Sequence, residues 1–207
     1  MVFIATYVIS DIHGQYDMFM ELIDKIDLKQ TDTLYVLGDI LDRGPHPIKV
    51  LKKLMEMPNA ICIVGNHELM ALECLEILMK EITDMSIEEL DEEMLDNLVT
   101  WQYNGSKSTI DEFSELGSDE KQDIIDFIKE FLIYEEVAVS ERDYLLVHAG
   151  LGNYSPEKDI EDYSPRLRRR KRDGRCFARG FPFCPAGSSN TVRRRTPCMR
   201  RRCPCGP

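Results

Sequence analysis

The chain has 207 residues, of which 43% are hydrophobic, and its formal net charge is −11. This length fits one globular domain with or without a tail, and no apolar run reaches the roughly 18 residues that a membrane-spanning helix needs. The apolar run from Val2 to Ile9 lacks the basic flank and the cleavage site of a signal peptide, so we expect a cytoplasmic protein.

The net charge combines two parts of opposite sign. Residues 166–207 hold 14 of the 26 basic side chains and one acidic residue, so they carry +13 while residues 1–165 carry −24. A surface as acidic as that of residues 1–165 argues against nucleic acid or membrane as a partner. Cys62 and Cys74 lie in apolar segments of this part, which predicts inert thiols in a reducing compartment.

Short apolar runs alternate with amphipathic segments of helical length over the first 81 residues. This alternation is typical of βαβ units and predicts an α/β fold with a parallel sheet. The predicted strands are residues 5–10, 33–37 and 60–64, and the predicted helices are residues 16–26, 47–57 and 67–81.

A helical insertion is predicted at about residues 86–131. Ser86 and Glu89 form a capping-box pattern, and a second helix with acidic residues in its first turn is predicted to begin at Ser118. Strands predicted at residues 135–139 and 144–148, around a turn at residues 140–143, return the chain to β structure and begin a second sheet.

Residues 166–207 have no periodicity, and we predict that they form a disordered tail after a domain at residues 1–165. One interpretation is an arginine-rich arm for RNA. A second is a zinc module, although the five cysteines include no C-x-x-C pair and no histidine accompanies them. The interpretation we favour is an out-of-frame or truncated end, because arginine rises and glutamate disappears where the second sheet should be completed.

Four polar clusters follow predicted strands. They are Asp11 to Gly14, Gly38 to Gly44, Gly65 to Glu68 and His148 to Gly150, and they contain three of the four histidines. Because the carboxyl ends of neighbouring strands line one crevice of an open α/β sheet, we expect the clusters to meet in space. Each cluster alone has a simpler interpretation as a turn or a structural histidine, but their order and spacing favour a shared site.

The side chains of these clusters suit a pair of divalent metal ions. Carboxylate, imidazole and amide oxygen together favour manganese, iron or zinc over calcium. Asp39 is the best candidate to bridge the two ions. Asp42 and His67 would form an acid pair that protonates the leaving oxygen, and Arg43 would bind phosphate, the alternative being a surface ion pair.

The motifs DIHG, GDILDRG, GNHE and VHAGL resemble the signature of the protein serine/threonine phosphatase type of calcineurin-like metallophosphoesterases, closest to bacterial and phage members. The resemblance covers residues 4–152. It implies that the first metal is bound by Asp11 and His13, that Asp39 bridges, and that the second metal is bound by Asn66 and His148.

The same resemblance implies that His67 and Asp42 are the acid pair and that Arg43 contacts phosphate. The segment WQYNGS, Trp101 to Ser106, also looks like a short family stretch near the substrate groove. The family has a later metal-binding histidine, whereas this chain has none after His148, and we expect His46 to be a solvated loop residue rather than a substitute. We therefore expect impaired catalysis.

The implied fold is a four-layer α/β/β/α sandwich, with the second sheet incomplete in this chain. The implied function is hydrolysis of phosphomonoesters, on phosphorylated proteins or small phosphate esters, by metal-activated hydroxide. Hydrolysis of dinucleoside polyphosphates such as diadenosine tetraphosphate is the alternative. A rival of another class is an inactive metal-binding remnant with a basic, nucleic-acid-binding tail.

Overall fold

The computed structural model describes residues 4–79, 92–139, 142–150, 155 and 181–183. These residues form two three-stranded sheets and six helices, which confirms the predicted α/β class. No helix among them is long and apolar enough to cross a bilayer.

The first sheet is parallel, with β2 between β1 and β3. Its strands and their helices are β1 (Thr6–Ile9), α1 (Tyr16–Lys25), β2 (Thr33–Leu37), α2 (Pro47–Met55), β3 (Ala60–Ile63) and α3 (Asn66–Met79). These are the predicted βαβ units, with ends that differ from the predicted ones by at most two residues except at α3. The predicted end of α3 at residue 81 lies outside the described residues.

The two faces of β2 pack against different layers. Leu34 and Val36 are fully buried in the core formed with the helices. Tyr35 and Leu37 alternate with them and pack on the other face, in a smaller cluster that includes Leu146 of the second sheet. Because successive side chains of a strand point to opposite faces, one five-residue strand joins the helical layer to the second sheet.

Three helices form most of the predicted insertion: α4 (Glu92–Tyr103), α5 (Lys107–Ser114) and α6 (Ser118–Lys129). Helices α4 and α6 pack on α3, and α5 packs on α2. The predicted capping box of Ser86 and Glu89 lies outside the described residues. At the start of α6, Gly117 is the N-cap and its N–H donates to the Glu120 carboxylate, 3.2 Å away.

The second sheet is antiparallel and consists of β4 (Glu135–Val139), β5 (Arg142–Leu146) and β6 (Phe181–Phe183). The prediction of a turn through residue 143 is wrong in its extent, because β5 begins at Arg142, which pairs with Val139. Strand β6 lies in the range predicted to lack structure, and it pairs with β5. The rest of residues 166–207, including the five tail cysteines, lies outside the described residues.

The two cysteines of the first sheet and α3 are free and buried. Burial raises the pKa of Cys62 to about 12 and that of Cys74 to about 11. Both thiols therefore stay protonated at neutral pH, as expected for inert core cysteines.

Glu68, in the first turn of α3, ties together the loops that follow β2 and β3. Its fully buried carboxylate accepts four backbone N–H groups, from Gly65, Asp39, Ile40 and Leu41, at 2.8–3.1 Å. Burial raises the pKa of the Glu68 carboxyl, and the nearby charge of Asp39 adds to this, while the N–H donors oppose it. A carboxylate without a proton is the only form that can accept all four bonds.

We expect Glu68→Gln to destabilise the fold, because its amide NH2 cannot accept from the two N–H groups that one carboxylate oxygen now satisfies. Each unsatisfied buried donor costs about 1–3 kcal/mol, so relief of the buried charge should leave a net loss of about 2–3 kcal/mol in the free energy of unfolding. Urea unfolding measures this loss.

The matched control is Glu73→Gln on the exposed side of α3. Its free energy of unfolding should stay within about 0.5 kcal/mol of the original chain. Equal stability of the Glu68 and Glu73 variants would contradict the assigned role of Glu68.

Candidate active site

The loops that follow β1 and β2 run side by side. Asp11 N donates to Gly38 O at 3.1 Å, and His13 N donates to Asp39 O at 2.9 Å. Gly14 N continues the series to Ile40 O at 2.8 Å. The predicted meeting of these polar clusters at the carboxyl ends of the strands is therefore present, and it is fixed by backbone hydrogen bonds.

These loops adopt a left-handed backbone conformation that residues other than glycine rarely adopt. Among the described residues, six non-glycine residues have φ between 45° and 68°, and one of these, Asp27, lies outside the site. The other five are Asp11, His13, Asp39, Asp42 and Arg43. Left-handed backbone at residues other than glycine costs roughly 1–3 kcal/mol each and is found mainly where function requires it.

Glycine is required where two of the loops cross. A Cβ on Gly65 would lie 2.5 Å from Asp39 N and 2.5 Å from Asp39 Oδ1. A Cβ on Gly38 would lie 2.5 Å from Gly65 Cα. The backbones touch here, and this close approach brings the residues after β3 onto the Asp39 carboxylate.

His13 and His148 present the same ring nitrogen to the site. His13 Nδ1 lies 2.9 Å from Leu41 O, and His148 Nδ1 lies 2.8 Å from Leu37 O. A carbonyl oxygen only accepts, so each Nδ1 carries the proton and each Nε2 of a neutral ring has a free lone pair. This is the tautomer that a metal ligand needs.

The Asp39 carboxylate lies between these two nitrogens. Asp39 Oδ2 is 3.7 Å from His13 Nε2, and Asp39 Oδ1 is 3.2 Å from His148 Nε2. Oxygen and nitrogen lone pairs that face each other repel, unless a cation lies between them. Ligand atoms about 2.0–2.2 Å from one ion are roughly 3–3.5 Å apart. The 3.2 Å separation beside His148 lies in this range and the 3.7 Å separation beside His13 is slightly wider, so the donor set leaves room for one cation on each side of Asp39.

Asn66 and Asp11 complete the predicted ligands. Asn66 Oδ1 lies 3.3 Å from His148 Nε2, which puts an amide oxygen on the His148 side of Asp39. Asp11 is half-buried and is held beside the Asp39 loop by its bond to Gly38 O. The structure thus brings the side chains of His13, Asp39, Asn66 and His148 together and places the backbone of Asp11 beside them.

Among the described residues, the ligand atoms of His13, Asp39 and His67 all lie within 4.8 Å of one another. The rings of His13 and His67 meet edge to face at 4.7 Å. The sequence predicts that His67 is an acid rather than a ligand, and the other contacts of His67 distinguish it from His13.

His67 pairs with Asp42, as predicted. His67 Nδ1 lies 2.6 Å from Asp42 Oδ2, and both side chains are fully buried. Because Nδ1 donates to this carboxylate, Nε2 is the ring nitrogen that faces the crevice.

The Arg43 guanidinium contacts the imidazole rings of both His13 and His67. Its NH1 donates to His13 Nε2 at 2.8 Å, and its NH2 donates to His67 Nε2 at 3.0 Å. Arginine has no acceptor, so both Nε2 atoms carry lone pairs, which agrees with the tautomer of His13 derived above. Arg43 is exposed, and its two N–H groups are at the mouth of the site.

Sequence reasoning missed part of what surrounds Asp42. Trp101 Nε1 and Thr109 Oγ1 both donate to its carboxylate, and Gly105 O accepts from Arg43 N at 2.9 Å. The WQYNGS stretch was the available signal for Trp101 and Gly105. Thr109 had no signal, because nothing local marks a threonine that contacts a residue 67 positions earlier.

His46 lies outside the site, as expected for a loop residue. Its Nδ1 is 2.9 Å from Glu112 Oε1, and 45% of its side chain is exposed. Glu112 also accepts the N–H of Ile48 in the first turn of α2. This pairing stabilises the start of α2.

Two curated relatives are symmetrical bis(5'-nucleosyl)-tetraphosphatases. The one from Salmonella paratyphi A is 40% identical over 67 residues, which are 31% of this chain and 24% of the relative. The one from Erwinia tasmaniensis is 31% identical over 115 residues, which are 54% of this chain and 42% of the relative. The chain thus matches less than half the length of these relatives.

A solved structure of a protein serine/threonine phosphatase from Saccharomyces cerevisiae, with similarity to human phosphatase PP5, is 18% identical with a TM-score of 0.41. The alignment covers 77% of this chain and 45% of that chain. The sequence model of the calcineurin-like phosphoesterases matches residues 4–178, well over half of the chain. The chain therefore belongs to the calcineurin-like phosphoesterase family.

Proposed function

We propose that the chain hydrolyses phosphate esters with two divalent metal ions. The observation that carries this proposal is the Asp39 carboxylate, which offers one oxygen to the side of His13 and the other to the side of His148. When bound, the ions would supply activated water and neutralise the charge of the phosphate.

The proposed ligands are those predicted from the sequence. Asp11 and His13 would hold one ion, Asn66 and His148 the other, and Asp39 both. The mixture of carboxylate, imidazole and amide donors supports manganese, with iron or zinc as alternatives. The buried, protonated thiols of Cys62 and Cys74 support a reducing compartment such as the cytoplasm.

Arg43 would bind the phosphate group. Its guanidinium is exposed at the mouth of the crevice, and two of its N–H groups already point to the imidazoles. Arg43 NH1 would leave His13 Nε2 when a metal ion binds there, because one lone pair cannot serve both. A phosphate oxygen is also a stronger acceptor than a neutral imidazole nitrogen, so both N–H groups would turn to the substrate.

His67 would protonate the leaving oxygen. Asp42 holds its Nδ1–H, so an added proton must reside on Nε2, the nitrogen that faces the crevice. The buried negative charge of Asp42 would stabilise the resulting imidazolium. Once Arg43 has turned to the phosphate, Nε2 is free to carry this proton.

Two substrate classes are compatible with this site. Phosphomonoesters, on phosphorylated proteins or small molecules, need only the metal pair, Arg43 and the His67 acid. The relatives named as symmetrical bis(5'-nucleosyl)-tetraphosphatases favour a dinucleoside tetraphosphate as the second candidate. The non-enzymatic rival is a remnant that binds metal without turnover.

With Mn²⁺, we expect the purified chain to release phosphate from p-nitrophenyl phosphate slowly, because it has no histidine after His148 to complete the first metal site. We also expect it to act on either a phosphoserine peptide or diadenosine tetraphosphate. Symmetrical cleavage of the latter consumes one water and yields two molecules of ADP. Chromatography of the nucleotides and a phosphate assay measure these products. Persistence of all activity in Asp39→Asn would identify a contaminating phosphatase, and bound Mn²⁺ without any turnover would favour the remnant.

We expect Asp39→Asn to lower the Mn²⁺ content after gel filtration more than His46→Ala does, because Asp39 would contribute charge to both ions. The metal-free variant should unfold at the same temperature as the original chain or higher. Burial raises the pKa of the Glu68 carboxyl and the negative charge of Asp39 adds to this. Removal of that charge therefore relieves repulsion between two buried groups. Equal metal content in the two variants would count against the bridge.

We expect Arg43→Ala to weaken competitive inhibition by inorganic phosphate about 10- to 100-fold, which corresponds to the loss of a charged hydrogen bond of about 1.5–3 kcal/mol. Inhibition constants with p-nitrophenyl phosphate provide the measurement. Arg142→Ala, at the exposed start of β5, is the matched control because it removes the same charge away from the crevice. If both variants bind phosphate equally well, Arg43 does not contact it.

A further inference from the structure

We propose that Thr109 and Trp101 are positioning residues for the Asp42–His67 pair, so that the helical insertion controls the acid step. The inference rests on the proposed role of His67 as the acid. It assigns a specific task to two buried side chains that lie 59 and 67 residues after Asp42.

Thr109 makes two hydrogen bonds to Asp42 with one hydroxyl. Its Oγ1 donates to Asp42 Oδ1 at 2.6 Å and accepts from Asp42 N at 3.1 Å. The backbone and the carboxylate of Asp42 are thereby held to the same atom. This double contact fixes the side-chain torsion of a residue whose φ is 68°.

Trp101 secures the other carboxylate oxygen. Its Nε1 donates to Asp42 Oδ2 at 2.9 Å, and the same oxygen accepts the Nδ1–H of His67 at 2.6 Å. Trp101, Thr109, Asp42 and His67 are all fully buried. No water is needed to satisfy this carboxylate, because three side-chain donors already do so.

The fixed Asp42 carboxylate determines the orientation of the His67 ring. With Asp42 fixed, His67 Nδ1–H has one acceptor position, and Nε2 can therefore point only at the crevice. Loss of the Thr109 hydroxyl would leave Asp42 Oδ1 and Asp42 N without partners, and the carboxylate would rotate to find others. Oriented acids contribute most when the leaving group is basic, because such a group needs the proton in the transition state.

The test compares Thr109→Val, which keeps the shape and removes the hydroxyl, with Thr109→Ser, which keeps the hydroxyl. We expect Thr109→Val to lower kcat for phenyl phosphate about 10- to 100-fold, by analogy with other residues that orient a functional histidine. The loss should be smaller for p-nitrophenyl phosphate, because its leaving group is less basic and depends less on protonation in the transition state. KM should stay within about twofold, because ground-state binding is unchanged.

Thr109→Ser should retain the activity, and Ser114→Ala, an exposed hydroxyl on the same helix, should have no effect. Trp101→Phe removes the Nε1–H that donates to Asp42 and also leaves a small cavity, because the indole is fully buried. Its expected kinetic pattern is that of Thr109→Val. It therefore tests the inference even if Thr109→Val does not fold.

A second readout does not depend on activity. The proton of the short bond between His67 Nδ1 and Asp42 should resonate at low field in the metal-free protein, and His67→Gln identifies it by its loss. We expect Thr109→Val and Trp101→Phe to move this resonance, and Thr109→Ser to leave it in place.

The two readouts separate the inference from the proposed function. A moved resonance in a chain that hydrolyses no ester would support the positioning role and refute the phosphoesterase activity. An unmoved resonance, with equal losses on both esters, would overturn the positioning role and reduce Thr109 to a packing residue.

Discussion

The Glu68 carboxylate is the constraint on which the site depends. Four N–H groups from two loops converge on its two oxygens, and one of these groups belongs to Asp39 itself. A buried anion therefore holds the loops that carry the other anions of the site. This arrangement places the negative charges of Glu68 and Asp39 next to each other. Within the described part of the chain, the groups that donate to the Glu68 carboxylate are backbone amides, which carry no net charge.

Around this anchor, four functional residues are oriented by groups that take no part in the proposed chemistry. Carbonyl oxygens at the end of β2 and in the following loop fix the tautomers of His148 and His13. The helical insertion reaches Asp42 and Arg43 through Trp101, Thr109 and Gly105. Segments that follow the strands of the first sheet thus supply most of the reactive residues, and the segment after β5 supplies His148. The insertion determines how the acid pair is oriented.

Local pattern was enough to predict most of the fold and the region in which the candidate ligands meet. The alternation in β2 and the polar residues after each strand are encoded within a few positions, so their placement at one crevice followed from the topology. The start of β5 and the contacts of Thr109 were not predictable in this way. The start of β5 depends on pairing between strands. The contacts of Thr109 depend on how α5 packs against α2 and the loop after β2. The strand Phe181–Phe183 was missed because its range has no alternating pattern.

The left-handed residues of the loops have a consequence for how this chain can change over generations. His13 and Arg43 adopt φ values of 45° and 67°, where glycine or asparagine would be less strained. Stability alone would favour their replacement. A lineage released from selection for activity should therefore lose these two side chains early, while Gly38 and Gly65, which the close approach of the backbones requires, should persist. Continued selection for function at the crevice would preserve His13 and Arg43, and both are present in this sequence.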